Sequence, residues 1–567
     1  MGPDVTGSGG RGMRVVFGSR GEQMKQAEID TGMLRRRFRV ALQRRGHWQR
    51  HWQECYEFAL PQRQESDAGA GGPGGFGGGG GNVGKKQFDR VFDATAPDAV
   101  EQLAASLLGE ITPPSGGWFQ MVPGEDVAAA DKAELAEKLA RAGRIVQGHF
   151  ERSNFAVEIH QAYLDLVTVG TACLRLEEEG PGAPSRFRFC AVPVRQLAFE
   201  ERVDGTLDAV FRQLNLGSAD ICEKWPDAKI PDRMTSGPDA EMEKFAVIEA
   251  VLPDRSGAGG YDYVVFFASD PVDTTAQDGV IATGRFAVSP YIAFRWLKAP
   301  GEIYGRSPVM KALPDIKTAN KVVELVLKNA SIAVTGIWQA DDDGILNPAT
   351  VRLVPGSIIP KAVGSAGLTP LDAPGRFDVS DVVLADLRER IRRCLLADRL
   401  GQVDAPRMSA TEVLERAAEN SRLLAATYSR LQAELIFPLM RRALHVLARS
   451  GDLPDIPIDG TVVCLRHTAP MAQLGRKAEA GQTLDWLGRL ASLGPDAMAT
   501  IDMDKTVRWL AEQFGVPPDL LQPQITPEDL AGIAGIVGAM VQAPEGAAAN
   551  TNTNINTNTN VYAGEAG

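Results

Sequence analysis

"PDIKTANKVVELVLKNASIAV" (residues 314–334) repeats Ile316, Ala319, Val323, Val326, Ala330 and Ala333 at helical spacing, and this stretch decides the fold. It begins on Pro314, a residue favoured in the first helical position, so the helix is expected to start there. A second helix of similar length is expected over "DVSDVVLADLRERIRRCLLAD" (378–398). Between them lies "TGIWQADDDGILNPATVRLVPGSIIPKAVGSAGLTPLDAPGRF" (335–377), rich in Gly and Pro and read as a small β-and-turn excursion. Two helices bracketing a compact insertion place that insertion at the tip of a helical hairpin.

Before the hairpin, residues 28–305 read as an α+β region. Helices are expected over 28–60, 93–121, 130–150 and 156–169, the second ended by Pro113-Pro114. Short alternating runs follow at 172–179, 187–194, 207–216, 244–252, 261–269 and 286–297, separated by turns such as Asp204-Gly205 and Gly259-Gly260. They predict a mainly antiparallel sheet. The first helix carries Leu34, Phe38, Leu42, Trp52 and Tyr56 near one face and seven arginines around the rest. That pattern reads as a solvated face or a subunit contact, with nucleic-acid contact the alternative.

After the hairpin, "RLGQVDAPRM" (399–408) breaks helicity with Gly401 and Pro406. Ser409 and Glu412 then form a capping box that restarts a helix over 409–451. At 1.5 Å per residue this helix would run ~60 Å, kinked near Pro438 and stopped by Gly451. Residues 452–543 are mostly helical from 470 onward. Residues 1–27 and 544–567 read as flexible ends, the latter containing "TNTNINTNTNVY".

The chain has 567 residues, 60 Lys+Arg against 72 Asp+Glu, and a formal net charge of −12. Such a balance argues against a protein whose main task is gripping DNA, though not against one past which DNA slides. No apolar run approaches the ~20 residues of a membrane helix, and the N-terminus lacks a signal-peptide core. Six cysteines without a C-x-x-C pair read as reduced thiols. His47 and His51 stand four apart, but lack the acid and third ligand of a zinc site. "GGGGNVGKK" ends a Gly-rich stretch expected to be a mobile loop at 66–84. It imitates a phosphate-binding loop, yet Lys86 replaces the required Ser or Thr and no apolar strand leads into it. No catalytic, cofactor or metal motif is found.

Four ordered segments carry a resemblance to a known family: "FDATAPDAVEQLAASLLGEITPPSGGWFQM", "RWLKAPGEIYGRSPVMKALPDIKTANK", "SATEVLERAAEN" and "RLQAELIFPLMRRALHVLARSGDLP". In them the chain resembles the portal, or head-to-tail connector, proteins of short-tailed phages. The Gly-rich stretch at 69–84 and the Thr-Asn tail depart from that pattern. The resemblance implies a non-enzymatic, multidomain α+β portal fold and a twelve-subunit ring at one capsid vertex of the virion, assembled in the host cytoplasm. Double-stranded DNA would pass through the ring. A packaging ATPase (terminase), a tail adaptor, and the major capsid and scaffolding proteins would be its partners, with no membrane involved. It further implies names for the regions: a wing (28–305), stem helices (306–334 and 378–398), a clip (335–377), a channel loop (399–408), a long wing helix (409–451) and a helical crown (452–543). In that loop Arg399, Leu400, Gly401, Gln402 and Arg407 would face DNA. The competing expectations are a nucleotide-dependent DNA-processing enzyme using Gly79 to Lys85, or another virion structural protein.

Overall fold

The computed structural model describes residues 30–63, 89–114, 116–228, 244–254, 259–268, 279–335, 338–340, 368–370, 377–397, 426–454, 456, 458, 460–492 and 500–514. The Gly-rich stretch, the expected channel loop 399–408, the Ser409 capping box, most of 335–377 and both chain ends lie outside them.

Helix α1 (Thr31–Ala59) is capped by Asp30, whose carboxylate accepts the Met33 N–H at 2.9 Å. Next come α2 (Thr95–Ile111), β1 (Phe119–Pro123), α3 (Ala129–Glu151) and α4 (Phe155–Val169). Gly170 ends α4 with φ of 77°, a conformation that a side chain would strain. Strands β2 (Thr171–Glu178), β3 (Phe187–Ala191) and β9 (Tyr291–Arg295) form one antiparallel sheet in the order β3-β2-β9. Strands β4 (Leu197–Glu201), β5 (Leu207–Gly217), β6 (Lys244–Pro253), β7 (Tyr261–Phe267) and β8 (Val280–Phe286) form a second antiparallel sheet, in sequence order. The short α5 (Ser218–Lys224) leaves the end of β5.

The expected antiparallel pairing is thus present in the described residues, but in two sheets, and β4 and β8 were not anticipated. Strand β6 buries both faces: Val247 and Val251 join the main core, while Ile248 and Ala250 meet a second core beneath α1. Leu34, Phe38 and Ala41 of α1 supply that second core, with Phe38 and Phe211 ring centroids 5.8 Å apart. An aromatic cluster of Trp118, Phe119, Phe150, Phe155 and Phe189 closes the other end of the main core.

The two sheets are joined by one carboxylate. Glu249 on β6 is fully enclosed. It takes hydrogen bonds from Lys224 (2.6 Å), Tyr263 (3.2 Å) and Tyr291 (2.6 Å), with Arg175 at 3.5 Å and Arg212 at 4.0 Å. Burial alone would raise its pKa; Arg175, Lys224 and Arg212 outweigh burial and hold it well below the usual carboxylate range. Arg175 and Tyr291 come from the first sheet, Arg212 and Tyr263 from the second, so the charge cluster fixes their mutual packing.

The hairpin helices are α6 (Pro308–Thr335) and α7 (Phe377–Cys394). α6 starts six residues earlier than expected. Ser307 provides the cap, its hydroxyl accepting the Met310 N–H at 2.9 Å, and Pro308 takes the first position. Pro314 lies inside the helix and removes a single backbone bond. α7 ends earlier than expected, at Cys394, and Leu396 follows with φ of 57°, so the helix stops before Gly401. Of the excursion, β10 (Trp338–Ala340) and β11 (Leu368–Pro370) are described and pair antiparallel.

Of the long helix, residues from 426 onward are described, with a π-turn over Gln432–Ile436 leading into α8 (Phe437–Ser450). The irregularity falls immediately before Pro438, whose missing N–H and ring cannot continue a regular α-ladder. Gly451, φ 80°, stops the helix as expected. Strand β12 (Val463–His467) returns to pair with β1, Phe119 opposite His467. Helix α9 (Pro470–Ala491) follows, and α10 (Met503–Phe514) belongs to a separate compact unit formed by residues 479–567.

His467 locks this return. The Ile111 carbonyl can only accept, so Nε2 carries a proton and donates to it at 2.8 Å, leaving Nδ1 to accept from the Tyr428 hydroxyl at 2.6 Å. In the neutral ring the two bonds are complementary, Nε2 donating and Nδ1 accepting. Burial, helped by Arg476 and opposed by the Ile111 carbonyl, lowers its pKa from 6.5 to about 4. The unfolded chain therefore takes up this proton first as pH falls. The stabilisation is complete above pH 6.5 and is lost progressively toward pH 4, by about 3 kcal/mol in all. Denaturant titrations across this window should show that drop in the native protein and a much flatter profile in His467→Gln.

Candidate functional site

The described residues bring together the base of the hairpin, not a catalytic pocket. Asn320 of α6 accepts the backbone N–H groups of Phe92 (2.6 Å) and Asp93 (3.2 Å), and donates to the Arg90 carbonyl at 2.9 Å. Asp93 in turn pairs with Arg388 of α7 at 2.8 Å. Burial would raise the Asp93 pKa, but hydrogen bonds from Thr95 and Arg388 bring it below its ordinary value. Lys317 reaches Glu54 of α1 at 2.5 Å. Arg390, late in α7, meets Asp315, early in α6, at 2.9 Å, which sets the two helices antiparallel.

The approach to α6 is just as tightly fixed. A Cβ on Gly305 would stand 2.1 Å from the Gly170 carbonyl oxygen, and one on Gly170 would stand 2.5 Å from that of Gly305. The Gly305 N–H donates to the Thr171 hydroxyl at 2.8 Å, and Ser307 donates to the Thr168 carbonyl at 2.8 Å. "GEIYGRSP" therefore crosses the end of α4 at backbone contact, which explains why that quoted segment needs glycine.

Farther along, the hairpin changes character. Ile316, Ala319, Leu387 and Ile391 are buried, whereas Leu325 is 49% exposed, Leu327 53%, Val382 72% and Val383 44%. Two thin helices cannot cover these side chains by themselves.

The long helix is held to the wing sheets by Arg295 of β9, which is 1% exposed. Its guanidinium donates to Glu434 in the π-turn (2.6 Å), to Glu201 (3.2 Å) and to the carbonyls of Ile303 (3.0 Å) and Gly205 (2.9 Å). Its backbone N–H also donates to Glu434 at 2.9 Å.

None of the sequence-predicted loop residues Arg399, Leu400, Gly401, Gln402 and Arg407 falls within the described residues, nor do Gly79 to Lys85. His47 and His51 do fall within them and line an open cleft of ≈ 780 Å³ with Arg44, Trp48, Glu201 and Glu302. Among the described residues no group of three or more His, Cys, Asp or Glu side chains could hold a metal. The described cysteines are all free. No described helix is long and apolar enough to cross a membrane. The clasp between Arg295 and Glu434 had no signal in the sequence, since the two residues lie 139 positions apart.

Comparison with known proteins gives this geometry its context. Residues 31–521 match the family described as bacteriophage head to tail connecting protein. The chain belongs to that family. It is 25% identical over 505 residues to the probable portal protein of Bordetella phage BPP-1, covering 84% of this chain and 86% of that one. It is 22% identical over 529 residues to the portal protein of Salmonella phage epsilon15, covering 88% and 90%. The portal protein of Enterobacteria phage T3 is 25% identical over 366 residues, 64% of each chain. Among solved structures, a chain of the virion of a native gene transfer agent particle aligns over 72% of this chain and 91% of its own. With 13% identity and a TM-score of 0.30, that likeness carries no argument. A portal-type connector is a structural, non-enzymatic component of the phage virion, associated with the capsid.

Removing one partner of a buried ion pair leaves the other charge uncompensated, at a cost of about 3–5 kcal/mol. Glu434→Ala removes the main carboxylate of Arg295 but leaves Glu201. It should therefore lower unfolding stability by the low end of that range, about 3 kcal/mol, measured by denaturant titration. Glu389→Ala, on an exposed α7 pair with Arg393, should cost less than about 1 kcal/mol.

Proposed function

We propose that this chain assembles into a closed, twelve-copy ring at one capsid vertex. Duplex DNA enters and leaves through the central channel of that ring. The α+β region 28–305 and the helix 409–451 form the wing, 306–334 and 378–398 the stem, 335–377 the clip, and 452–543 the crown. The packaging ATPase and later the tail adaptor dock at the clip, and the major capsid and scaffolding proteins surround the ring during assembly in the host cytoplasm.

The observation that carries this reading is the family match across 31–521, taken with a hairpin whose base is locked and whose outer length exposes Leu325, Leu327, Val382 and Val383. Neighbouring copies would cover those residues, and head-to-tail contacts that close on themselves make a ring. Net charge −12 favours weak rather than tight contact with DNA. Residues 399–408 point into the channel, where Arg399 and Arg407 make replaceable contacts with phosphates. Gln402 adds a neutral donor, and Gly401, beside Leu400, breaks the helix.

Particle mass in solution tests the assembly: the purified chain should run as one large closed oligomer, and a monodisperse monomer at micromolar concentration would overturn the ring. Replacing 401–406 by a Gly-Ser linker should preserve that mass while impairing packaging or retention of the genome. Full packaging by such rings would remove the channel-loop assignment.

A further inference from the structure

The seven arginines that crowd α1 divide into two sets. Three are consumed by the fold: Arg35 donates to the Phe267 carbonyl at 3.0 Å, Arg37 pairs with Glu200 at 2.6 Å, and the buried Arg45 donates to the carbonyls of Arg195 and Leu197. The other four, Arg36, Arg39, Arg44 and Arg50, are exposed. Among the described residues they have neither an ion-pair nor a hydrogen-bond partner.

At 3.6 residues per turn, Arg36, Arg39, Gln43, His47 and Arg50 fall within an arc of about 80°, facing away from the sheet, over ~21 Å of helix. Successive members are about 4.5 to 6 Å apart along the axis. The stripe contains no carboxylate, since the first acid of α1 is Glu54. Arg44, Gln43 and His47 continue it into the cleft beside Trp48.

We propose that this stripe is a second DNA-contacting surface, separate in sequence from residues 399–408, that binds the phosphate backbone of duplex DNA without reading its sequence. Guanidinium groups form forked, charge-assisted bonds with phosphates, and a duplex offers one charge per ~1.7 Å of axis. A protein–protein interface would instead need acidic partners in register and an apolar centre depleted of charge. The stripe supplies cations and amides without a large buried apolar anchor. In a chain of net charge −12, a row of unpaired arginines is a local exception that phosphate would find attractive. The inference takes from the proposed function only the availability of duplex DNA.

The test uses the full chain and a fluorescently labelled duplex of random sequence, with the triple variant Arg36→Gln/Arg39→Gln/Arg50→Gln. A control triple, Lys132→Gln/Arg141→Gln/Arg144→Gln, removes the same charge from exposed positions of α3. Between about 50 and 200 mM salt, the stripe variant should bind at least about tenfold more weakly, with a log–log salt slope reduced by about 2 to 3. The control should change much less, and particle mass should be unaltered in both. Unchanged DNA binding, or an equal loss in the control, would overturn the proposal. So would a stripe variant that loses its assembly while its DNA binding per chain persists, because the surface would then join copies of the protein. Binding is read on whatever oligomer forms, so a chain that makes no ring yet loses DNA affinity through these three arginines would refute the ring alone.

Discussion

All five N–H groups of the Arg295 side chain are directed at acceptors, and the groups they reach come from four parts of the chain. Nε and one Nη2 proton meet Glu434 in the long helix, and the other Nη2 proton meets the carbonyl of Gly205. The two Nη1 protons meet Glu201 on β4 and the carbonyl of Ile303 in the approach to α6. Each unmet donor of a buried guanidinium carries the desolvation cost of a charged group, so Arg295 is most stable with all five met. The long helix, the five-stranded sheet and the root of the hairpin must therefore all be in place for Arg295 to be most stable in its site. The π-turn belongs to the same constraint. The wider turn before Pro438 sets Glu434 where its two oxygens reach both the side chain and the backbone N–H of Arg295.

From that anchor the hairpin inherits its direction. Leaving Arg295, the chain runs through the turn at 297–306 and passes Gly170 at backbone contact before Ser307 caps α6. A glycine pair is the only residue pair that lets two backbones approach this closely without displacing one of them. Asn320, Asp93 and Arg388 then fix both helices against the segment before α2, so the inner half of the hairpin is rigid by hydrogen bonding as well as by apolar burial. Its outer half has exposed apolar side chains instead. A protein that fixes one end of a hairpin and exposes apolar side chains along the rest is suited to being completed by other copies, which is how a connector differs from a self-contained enzyme.

Much of this was legible in the sequence because it rests on local signals. The hairpin follows from the 3.6-residue spacing of α6 and α7, the stop at Gly451 from glycine chemistry, and the antiparallel strands from alternation broken by turns. The misplacements are equally physical. Pro314 looked like a helix start because proline favours that position, but Ser307-Pro308 offers the same first residue with a real cap before it. The strand β8, "VIATGRF", buries the adjacent Val280 and Ile281, one in each core, and is only partly buried beyond them, so alternation did not mark it. That the strands form two sheets joined by Glu249 could not be read, since Arg175, Arg212, Lys224, Tyr263 and Tyr291 converge from distant positions. The seven arginines of α1 were visible as a cluster. Their division into three that grip the fold and four that face outward required the packing of α1 on the sheet.

The ionisable groups with strongly shifted pKa values show what kind of protein this is. In an enzyme such groups face a cleft, where a displaced pKa serves a proton transfer. Here Glu249 is enclosed by five partners, and Asp165 is held by Arg63 and by the Tyr56 hydroxyl at 2.9 Å. Arg45 lies against two carbonyls, and His467 has a partner on each nitrogen. Each of these groups is used up in joining one element to another across the core. The cleft beside α1, by contrast, is bordered by Arg306 paired with Glu302 and by the exposed Arg44 and His47. Burial of charge in this fold therefore serves rigidity between sheets, long helix and hairpin, in keeping with a structural connector rather than an enzyme.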